Sequence, residues 1–182
     1  TWLLFYTSIF RTRKLPMVDV VDPAGLVRSQ VIESEDGALR LTLNGDENRR
    51  TLAGHFIAES FGSSVQHLAF ACGDIFATAD RLGARGLQPL EISRNYYDDL
   101  EARFGLDPEL ADRLRAQNIL YDRDAEGGEY FQLYGRNFGE GFFFEIVERR
   151  GGYKGYGAPN AAFRIAAQKR TIRPGGIPRA MR

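Results

Sequence analysis

The sequence has little of what would tie it to nucleic acid, a membrane or an oxidising compartment. Its 24 Lys and Arg residues balance 24 Asp and Glu residues, so no net charge attracts a polyanion, and we predict no nucleic-acid partner. No apolar run approaches the ~20 residues that span a bilayer, so we predict no membrane partner. The only cysteine, Cys72, cannot form an internal disulfide, which favours a reducing cytoplasm.

Histidine is also scarce, with only His55 and His67 in the chain. His67 lies in "SVQHLAFAC", where alternation of apolar residues predicts a strand with His67 on the same side as Val65 and Ala69. One histidine cannot form a metal site by itself. His67 is therefore either one member of a larger site or a core or surface histidine that binds nothing.

A second unusual residue is Glu145, which lies in the very apolar strand "GFFFEIVERR". A buried carboxylate without a partner costs several kcal/mol. That partner is either a metal ion or one of the two following arginines, Arg149 and Arg150. A carboxylate and two histidines on facing strands would form the facial triad of non-haem Fe(II) enzymes.

The first third of the chain predicts a helix followed by an antiparallel meander. The opening "TWLLFYTSIF" has one wide apolar face and no preceding cap, so we expect the chain to begin inside a helix. Period-two alternation predicts strands in "KLPMVDVVD", "GLVRSQVIES" and "GALRLTLNG". Residues 45–63 are polar and irregular apart from a short apolar cluster around Phe56 and Ile57, and we predict no regular element there.

The second part of the chain predicts a mixed order of strands and helices. After the strand with His67 come a helix capped by Asp74, a short strand "LQPLEI", and two short helices, the second starting at Asp107-Pro108. Three strands follow, namely "ILYDRD", "GEYFQLYGRN" and "GFFFEIVERR". A short helix "APNAAFRIAAQKR" and a basic tail rich in Pro and Gly end the chain, and we expect the tail to be disordered.

This order predicts an α+β fold of two βαβββ modules, the first of which lacks its first strand. Such modules pack edge to edge into one curved sheet around a cavity, although an α+β sandwich would give a similar order. We assign residues 1–62 to the truncated first module and its connector, residues 63–170 to the second module with its helical insert and C-terminal helix, and residues 171–182 to the tail.

Several motifs in this order resemble the metal-binding half of 4-hydroxyphenylpyruvate dioxygenase, a member of the vicinal oxygen chelate (glyoxalase-like) superfamily. The motifs are a Gln-His pair on a strand, a Tyr pair opening the helical insert, an Ile-Leu-x-Asp-x-Asp strand, a Gln on the next strand, and Phe-Phe-x-Glu-Ile-x-x-Arg on the last. In this sequence they are Gln66-His67, Tyr96-Tyr97, Ile119 to Asp124, Gln132, and Phe142 to Arg149. The resemblance covers almost the whole chain.

The resemblance implies a curved sheet around one divalent metal ion, with His67 and Glu145 as ligands. It places the third ligand, a histidine, upstream of Thr1, and His55 does not match that position. We therefore expect the chain by itself to be inactive. Matching positions imply further substrate-binding or wall residues, which are Ser29, Asn44, Gln66, Gln132, Tyr134, Phe143 and Asn160.

The C-terminal helix departs from the dioxygenase pattern. Ala161 stands where the dioxygenase has a Phe that clamps the substrate ring, and Arg164 and Ile165 replace a Leu and a Phe. An aromatic clamp contributes about 0.5–1.5 kcal/mol of stacking beyond burial, and an arginine there favours an anionic, less aromatic ligand. Arg164 is our eighth candidate substrate-binding residue, unless it points to solvent.

The ending "GYKGYGAPNAAFRIAAQ" resembles the dioxygenase-like domain that is fused to bacterial 3-dehydroshikimate dehydratase. That resemblance implies a lyase as the parent protein, with the conversion of 3-dehydroshikimate to protocatechuate in an N-terminal TIM barrel, and oligomerisation. The alternatives are an Fe²⁺-dependent dioxygenase acting on a 2-oxo acid, and an assembly domain with a vestigial metal. Two nitrogens and one carboxylate accept Fe²⁺, Mn²⁺ or Co²⁺, and Mg²⁺ if waters complete the shell.

Overall fold

The computed structural model describes residues 1–46, 48–139 and 141–171, and its strands form two four-stranded sheets. The strands are β1 Thr12–Lys14, β2 Val18–Asp22, β3 Gly25–Ser34, β4 Arg40–Gly45, β5 His67–Ala71, β6 Ile119–Arg123, β7 Glu129–Tyr134 and β8 Phe143–Arg150. The helices are α1 Trp2–Ile9, α2 Leu52–Glu59, α3 Ile75–Gly83, α4 Arg94–Phe104, α5 Pro108–Ala116 and α6 Ala161–Thr171, with a 3-10 turn at Ala158–Asn160 before α6.

The N-terminal sheet, β1 to β4, is built around β3. This long strand pairs antiparallel with β1 and β2 along one edge and with β4 along the other, which confirms the predicted meander. The predicted strand "KLPMVDVVD" is regular only from Val18, as β2, and its first residue, Lys14, ends the separate strand β1. Leu15 N–H still donates to the Val31 carbonyl at 3.0 Å, and Pro16, which has no backbone N–H, follows it before β2 begins.

The C-terminal sheet, β5 to β8, has the strand order β5-β8-β7-β6, with β5 parallel to β8 and the other pairs antiparallel. The helices α3, α4 and α5 lie between β5 and β6 in the chain, as the sequence predicts. The predicted strand "LQPLEI" is wrong, because only an isolated bridge from Pro89 to Gly135 forms there. A proline that cannot donate limits that segment to the edge of the sheet.

The expectation of an irregular stretch at residues 45–63 is also wrong, since α2 lies within it. The Thr51 hydroxyl accepts a hydrogen bond from Gly54 N–H at 3.0 Å, and the Asp22 carboxylate accepts one from Leu52 N–H at 3.0 Å. These bonds satisfy N–H groups of the first turn, which have no partner inside a helix. Half of this cap comes from β2, so local sequence could not reveal it.

The main core fills the space between the C-terminal sheet and helices α3, α4 and α5. Its fully buried members include Ile75, Tyr96, Tyr97, Leu100, Leu114, Ile119, Leu120, Phe131 and Phe143. Burying side chains of this size contributes about 1.5–3 kcal/mol each. This packing holds β8, the strand that carries Glu145, on a rigid support.

Polar contacts join the two sheets. Lys169 on α6 forms an ion pair of 2.6 Å with Asp22 at the end of β2, and Arg40 on β4 donates to the Gly155 carbonyl at 3.1 Å. The curved sheets of the predicted fold are present, but within the described residues they form two four-stranded sheets and not one continuous sheet.

The end of the second module, predicted at residue 170, remains a prediction. Helix α6 ends at Thr171, and residues 172–182 of the predicted tail lie outside the described residues. None of the helices in the described part of the chain is both long and apolar enough to span a membrane.

Candidate functional site

The register of β5 against β8 brings His67 and Glu145 together. His67 lies opposite Phe143 in this parallel pair, and Ala69 lies opposite Glu145. Because side chains alternate along a strand, His67 and Glu145 project from the same face. His67 Nε2 lies 3.6 Å from Glu145 Oε2.

The alternative partners of Glu145, the two arginines that follow it, are engaged elsewhere. Arg150 forms an ion pair with Glu148 at 2.6 Å, and the Arg149 guanidinium lies 4.4 Å from the centre of the Tyr130 ring. Among the described residues, the basic side chain within 4 Å of the Glu145 carboxylate is His67. Glu145 is therefore a buried carboxylate without an arginine or lysine in direct contact.

His67 is held in the neutral form. Its imidazole stacks on the Phe143 ring with centroids 4.8 Å apart and planes 5° apart, and 27% of the side chain is exposed. Burial, together with the positive charge of Arg164, lowers the pKa of His67 to about 4. Neutral imidazole has a free lone pair, which is the form that binds metal ions.

Glu145 is 5% exposed and accepts a hydrogen bond at Oε1 from Gln132 Nε2 at 2.9 Å. Burial raises the pKa of Glu145, while the hydrogen bond from Gln132 and the charge of Arg164 oppose the shift. A bound cation would stabilise the carboxylate against this cost of burial. The second oxygen, Oε2, faces His67.

A chain of buried hydrogen bonds leads away from Glu145. Asn160 Nδ2 donates to Gln132 Oε1 at 2.8 Å, and Tyr96 Oη donates to Asn160 Oδ1 at 3.0 Å. Gln132 and Asn160 are each 1% exposed, so their polar atoms need partners within the protein. The sequence marked Tyr96 as part of a motif only and gave no sign of its contact with Asn160.

Arg164 lies at the site and not in open solvent. Its guanidinium is 5.4 Å from the Phe143 ring centre and 5.7 Å from that of Tyr134, and it donates to Gln168 Oε1 at 2.5 Å. Cations over aromatic faces are stabilised by about 0.5–2 kcal/mol. Arg164 therefore places a positive charge beside the two aromatic rings that flank His67 and Glu145.

The remaining predicted residues are more dispersed. Ser29 and Asn44 face each other across β3 and β4 in the N-terminal sheet, with Ser29 buried and Asn44 exposed. Gln66 and His55 line a cleft of about 380 Å³. The glutamine that donates to Glu145 is Gln132 and not Gln66. The site thus combines His67, Gln132, Tyr134, Phe143, Glu145, Asn160 and Arg164.

The two candidate ligands are not joined by a third. Within residues 1–46, 48–139 and 141–171, no group of three or more His, Cys, Asp or Glu side chains could hold a metal ion. A neutral imidazole and a carboxylate oxygen 3.6 Å apart nevertheless fit two positions of a 2-His-1-carboxylate site.

No family model matches the sequence, but individual relatives do. The chain is 50% identical over 167 residues to a 3-dehydroshikimate dehydratase of Pseudomonas putida, covering 92% of this chain and 26% of the relative. It is 28% identical over 161 residues to a 4-hydroxyphenylpyruvate dioxygenase of Legionella pneumophila, covering 87% and 46%. The chain therefore spans about a quarter of its dehydratase relative.

Solved structures give the same two groups. A xylose isomerase-like TIM barrel/4-hydroxyphenylpyruvate dioxygenase fusion protein matches with a TM-score of 0.74 and 46% identity over 93% of this chain and 27% of its own. A variant of 4-hydroxymandelate synthase from Streptomyces coelicolor matches with a TM-score of 0.79 and 27% identity, over 91% and 48%. The chain is a 4-hydroxyphenylpyruvate dioxygenase-like domain of the vicinal oxygen chelate fold, related to the 3-dehydroshikimate dehydratases.

Proposed function

We propose that this chain is the metal-binding, dioxygenase-like part of a 3-dehydroshikimate dehydratase. The sequence identity of 50% to a dehydratase and the likeness to a TIM barrel fusion protein support this proposal. In the parent polypeptide, meaning the longer protein that contains this chain in the proposal, a TIM barrel converts 3-dehydroshikimate to protocatechuate. The present chain contributes a second site of its own.

The metal site rests on one observation above all, the buried Glu145 whose Oε2 faces the neutral His67 at 3.6 Å. His67 Nε2 and Glu145 Oε2 would be two ligands of one divalent cation. A histidine outside the present sequence would be the third, as the resemblance to the dioxygenase implies. Such a ligand set accepts Fe²⁺, Mn²⁺ or Co²⁺, and Mg²⁺ with added waters.

The site is suited to a small anion, such as a carboxylate or a 2-oxo acid. Arg164 supplies a positive charge, and Tyr134 and Phe143 supply an aromatic wall beside the ligand pair. A bound metal would supply a Lewis acid, while Arg164 would hold the anionic group. We propose secondary contacts from Ser29, Asn44 and Gln66, which line the substrate site in the resemblance.

A working Fe²⁺ dioxygenase is the second candidate. It is favoured by the likeness to 4-hydroxymandelate synthase. It is also favoured by His67, Gln132 and Glu145, which match positions of the dioxygenase pattern and lie together in one cluster. Ala161 stands where the dioxygenase has an aromatic residue that clamps the substrate ring. Alanine cannot provide this stacking, which argues against binding of the same aromatic substrate. Rapid Fe²⁺-dependent oxygen uptake by the parent polypeptide with 4-hydroxyphenylpyruvate would favour the dioxygenase over the dehydratase-associated role.

Elemental analysis of the parent polypeptide tests the metal site. We expect a His67→Ala, Glu145→Ala double variant to lose one equivalent of divalent metal, and a His55→Ala variant to keep it, because His55 lies in a separate cleft. Unchanged metal content in the double variant would sink the proposal.

A third candidate role is assembly of the parent polypeptide, with a metal that has no catalytic function. If this role is correct, metal removal would leave dehydratase activity unchanged, while deletion of this chain would break a homo-oligomer. Size-exclusion chromatography with light scattering, before and after treatment with a chelator, separates this role from the first two.

A further inference from the structure

The hydrogen-bond chain behind Glu145 has a fixed direction because it starts on the backbone of an edge strand. β6 is the outer strand of its sheet. Tyr121 N–H on this strand donates to Tyr96 Oη at 2.8 Å, and the Tyr121 carbonyl accepts from Asn160 Nδ2 at 3.2 Å. A backbone N–H can only donate and a carbonyl can only accept, so neither contact can be reversed.

The direction then passes through two side-chain amides. The Tyr96 hydroxyl has one proton and two acceptors within reach, the Tyr121 carbonyl at 3.1 Å and Asn160 Oδ1 at 3.0 Å. Amide oxygen and nitrogen are normally assigned from their partners, and here the Tyr121 carbonyl, which cannot donate, requires the Asn160 NH₂ group on its side. Asn160 Nδ2 then also donates to Gln132 Oε1 at 2.8 Å.

Gln132 is oriented in turn with its NH₂ group toward the site. Gln132 Nε2 donates to Glu145 Oε1 at 2.9 Å and to Tyr134 Oη at 2.6 Å. If the amide were reversed, its oxygen would face a carboxylate oxygen in a buried site, where such repulsion is strong. The position of the Glu145 carboxylate therefore depends on the orientation of Gln132.

We propose that Tyr96 and Asn160 are positioning residues for Glu145, through which the backbone polarity of β6 fixes the Gln132 NH₂ group toward the carboxylate. This inference rests on the proposed metal site, because the position of Glu145 affects function only if Glu145 binds a metal ion. It also assigns Asn160 a role other than contact with substrate, because both polar atoms of its side chain are occupied by protein groups.

The test compares hydrogen-bond direction in variants of the chain by NMR. In the unmodified chain, we expect the Gln132 side-chain NH₂ protons to give nuclear Overhauser contacts to the Tyr134 ring and to Glu145. The Asn160→Asp variant offers Gln132 only acceptors, so its NH₂ group should turn away and these contacts should be lost. Tyr96→Phe leaves Asn160 Oδ1 without its donor, so the same contacts should weaken.

Tyr97→Phe is the matched control. Tyr97 neighbours Tyr96 on α4 and is equally buried, but its hydroxyl is buried without a hydrogen-bond partner in the part of the chain that the structure describes. Removing this hydroxyl should leave the Gln132 contacts unchanged. A single unchanged Gln132 orientation in both Asn160→Asp and Tyr96→Phe would overturn the proposal, even if both variants are less stable.

A Mn²⁺ titration distinguishes failure of this inference from failure of the proposed function. Titration of the parent polypeptide with Mn²⁺ should show affinity lowered roughly tenfold or more in Asn160→Asp, the range for residues that orient metal ligands, and unchanged affinity in Tyr97→Phe. If Mn²⁺ does not bind at all, the metal proposal fails while the NMR result still decides the positioning role. If Mn²⁺ binds equally to all variants, Tyr96 and Asn160 do not position a ligand.

Discussion

Glu145 lies two residues beyond the strand partner of His67, so their side chains meet at 3.6 Å on one face of a parallel strand pair. The two residues are far apart in the chain and share no local signal. Their separation is set by strand register, and a slip of one residue would turn Glu145 to the opposite face. The candidate metal site is thus a consequence of how β5 aligns with β8.

Replacing Glu145 by Gln should separate metal binding from stability. The Glu145→Gln variant keeps the shape and still accepts the hydrogen bond from Gln132, but it removes a buried charge. We expect the free energy of unfolding of the metal-free chain to rise in urea titrations, because an unpaired buried carboxylate is costly. Metal content of the parent polypeptide should fall at the same time. A loss of stability in the metal-free chain would contradict this account.

Gly157 offers a geometric test of the same cluster. Gly157 has a φ of +68°, and a Cβ at this position would collide with the Gln132 amide. Gly152 has a φ of +75° with nothing within 4 Å of such a Cβ. Both Gly→Ala variants should lose about 1 kcal/mol of unfolding free energy, because alanine is strained in the left-handed backbone conformation. Only Gly157→Ala should also disturb Gln132.

The measurement for this pair is urea unfolding together with the Gln132 side-chain NMR signal. Gly157→Ala should be the less stable of the two and should shift that signal, whereas Gly152→Ala should leave it in place. Equal stability and an equal Gln132 signal in the two variants would show that the close approach of Gly157 does not constrain the site.

Arg164 should govern the affinity for anions. An Arg164→Gln variant removes the charge beside Tyr134 and Phe143, and we expect pyruvate, a small 2-oxo acid, to bind the parent polypeptide roughly tenfold more weakly. Arg170→Gln is the control, since Arg170 lies on the same helix but is exposed and donates to the Glu91 carbonyl. Calorimetric titration decides between them. Equal affinities for the two variants would exclude Arg164 as the anion contact.

Asp22 should make stability fall in acid. Burial would raise the pKa of Asp22, but hydrogen bonds from Leu52 N–H, Lys169 and Ala24 N–H outweigh burial and lower that pKa below its ordinary value of 3.8. Because the folded pKa is depressed, the stabilisation is fully present above pH 3.8 and is lost as the pH falls through the folded value.

The Asp22→Asn variant checks this sign. At neutral pH it should lose about 1–3 kcal/mol of unfolding free energy, the scale for a charged, buried hydrogen-bonding group, and the difference from the unmodified chain should shrink below pH 3.8. Asp19→Asn, an exposed position on the same strand, should show no such difference in urea titrations. An Asp22→Asn deficit that stays constant down to low pH would exclude the ionised carboxylate as its source.

Most of the secondary structure could be predicted from sequence because its signals are local. The cap of Asp74 on α3 and the proline start of α5 both appear in the structure. The two wrong predictions, at α2 and at "LQPLEI", concern segments whose structure depends on contacts with distant parts of the chain. Helix α2 depends on a cap from Asp22 on a distant strand, and the "LQPLEI" segment has the apolar residues of a strand but only a bridge partner at Gly135.

The sequence by itself determined that His67 and Glu145 lie on apolar strands, where each side chain needs a partner, and its motifs indicated the fold family. Only the tertiary structure decided which partners they have, because β5 and β8 meet through pairing between distant segments. It also placed Arg164 over the aromatic wall and joined Tyr96 to Asn160 and Gln132. Hydrogen-bond direction depends on which donors and acceptors meet in space, and residue spacing alone does not contain that information.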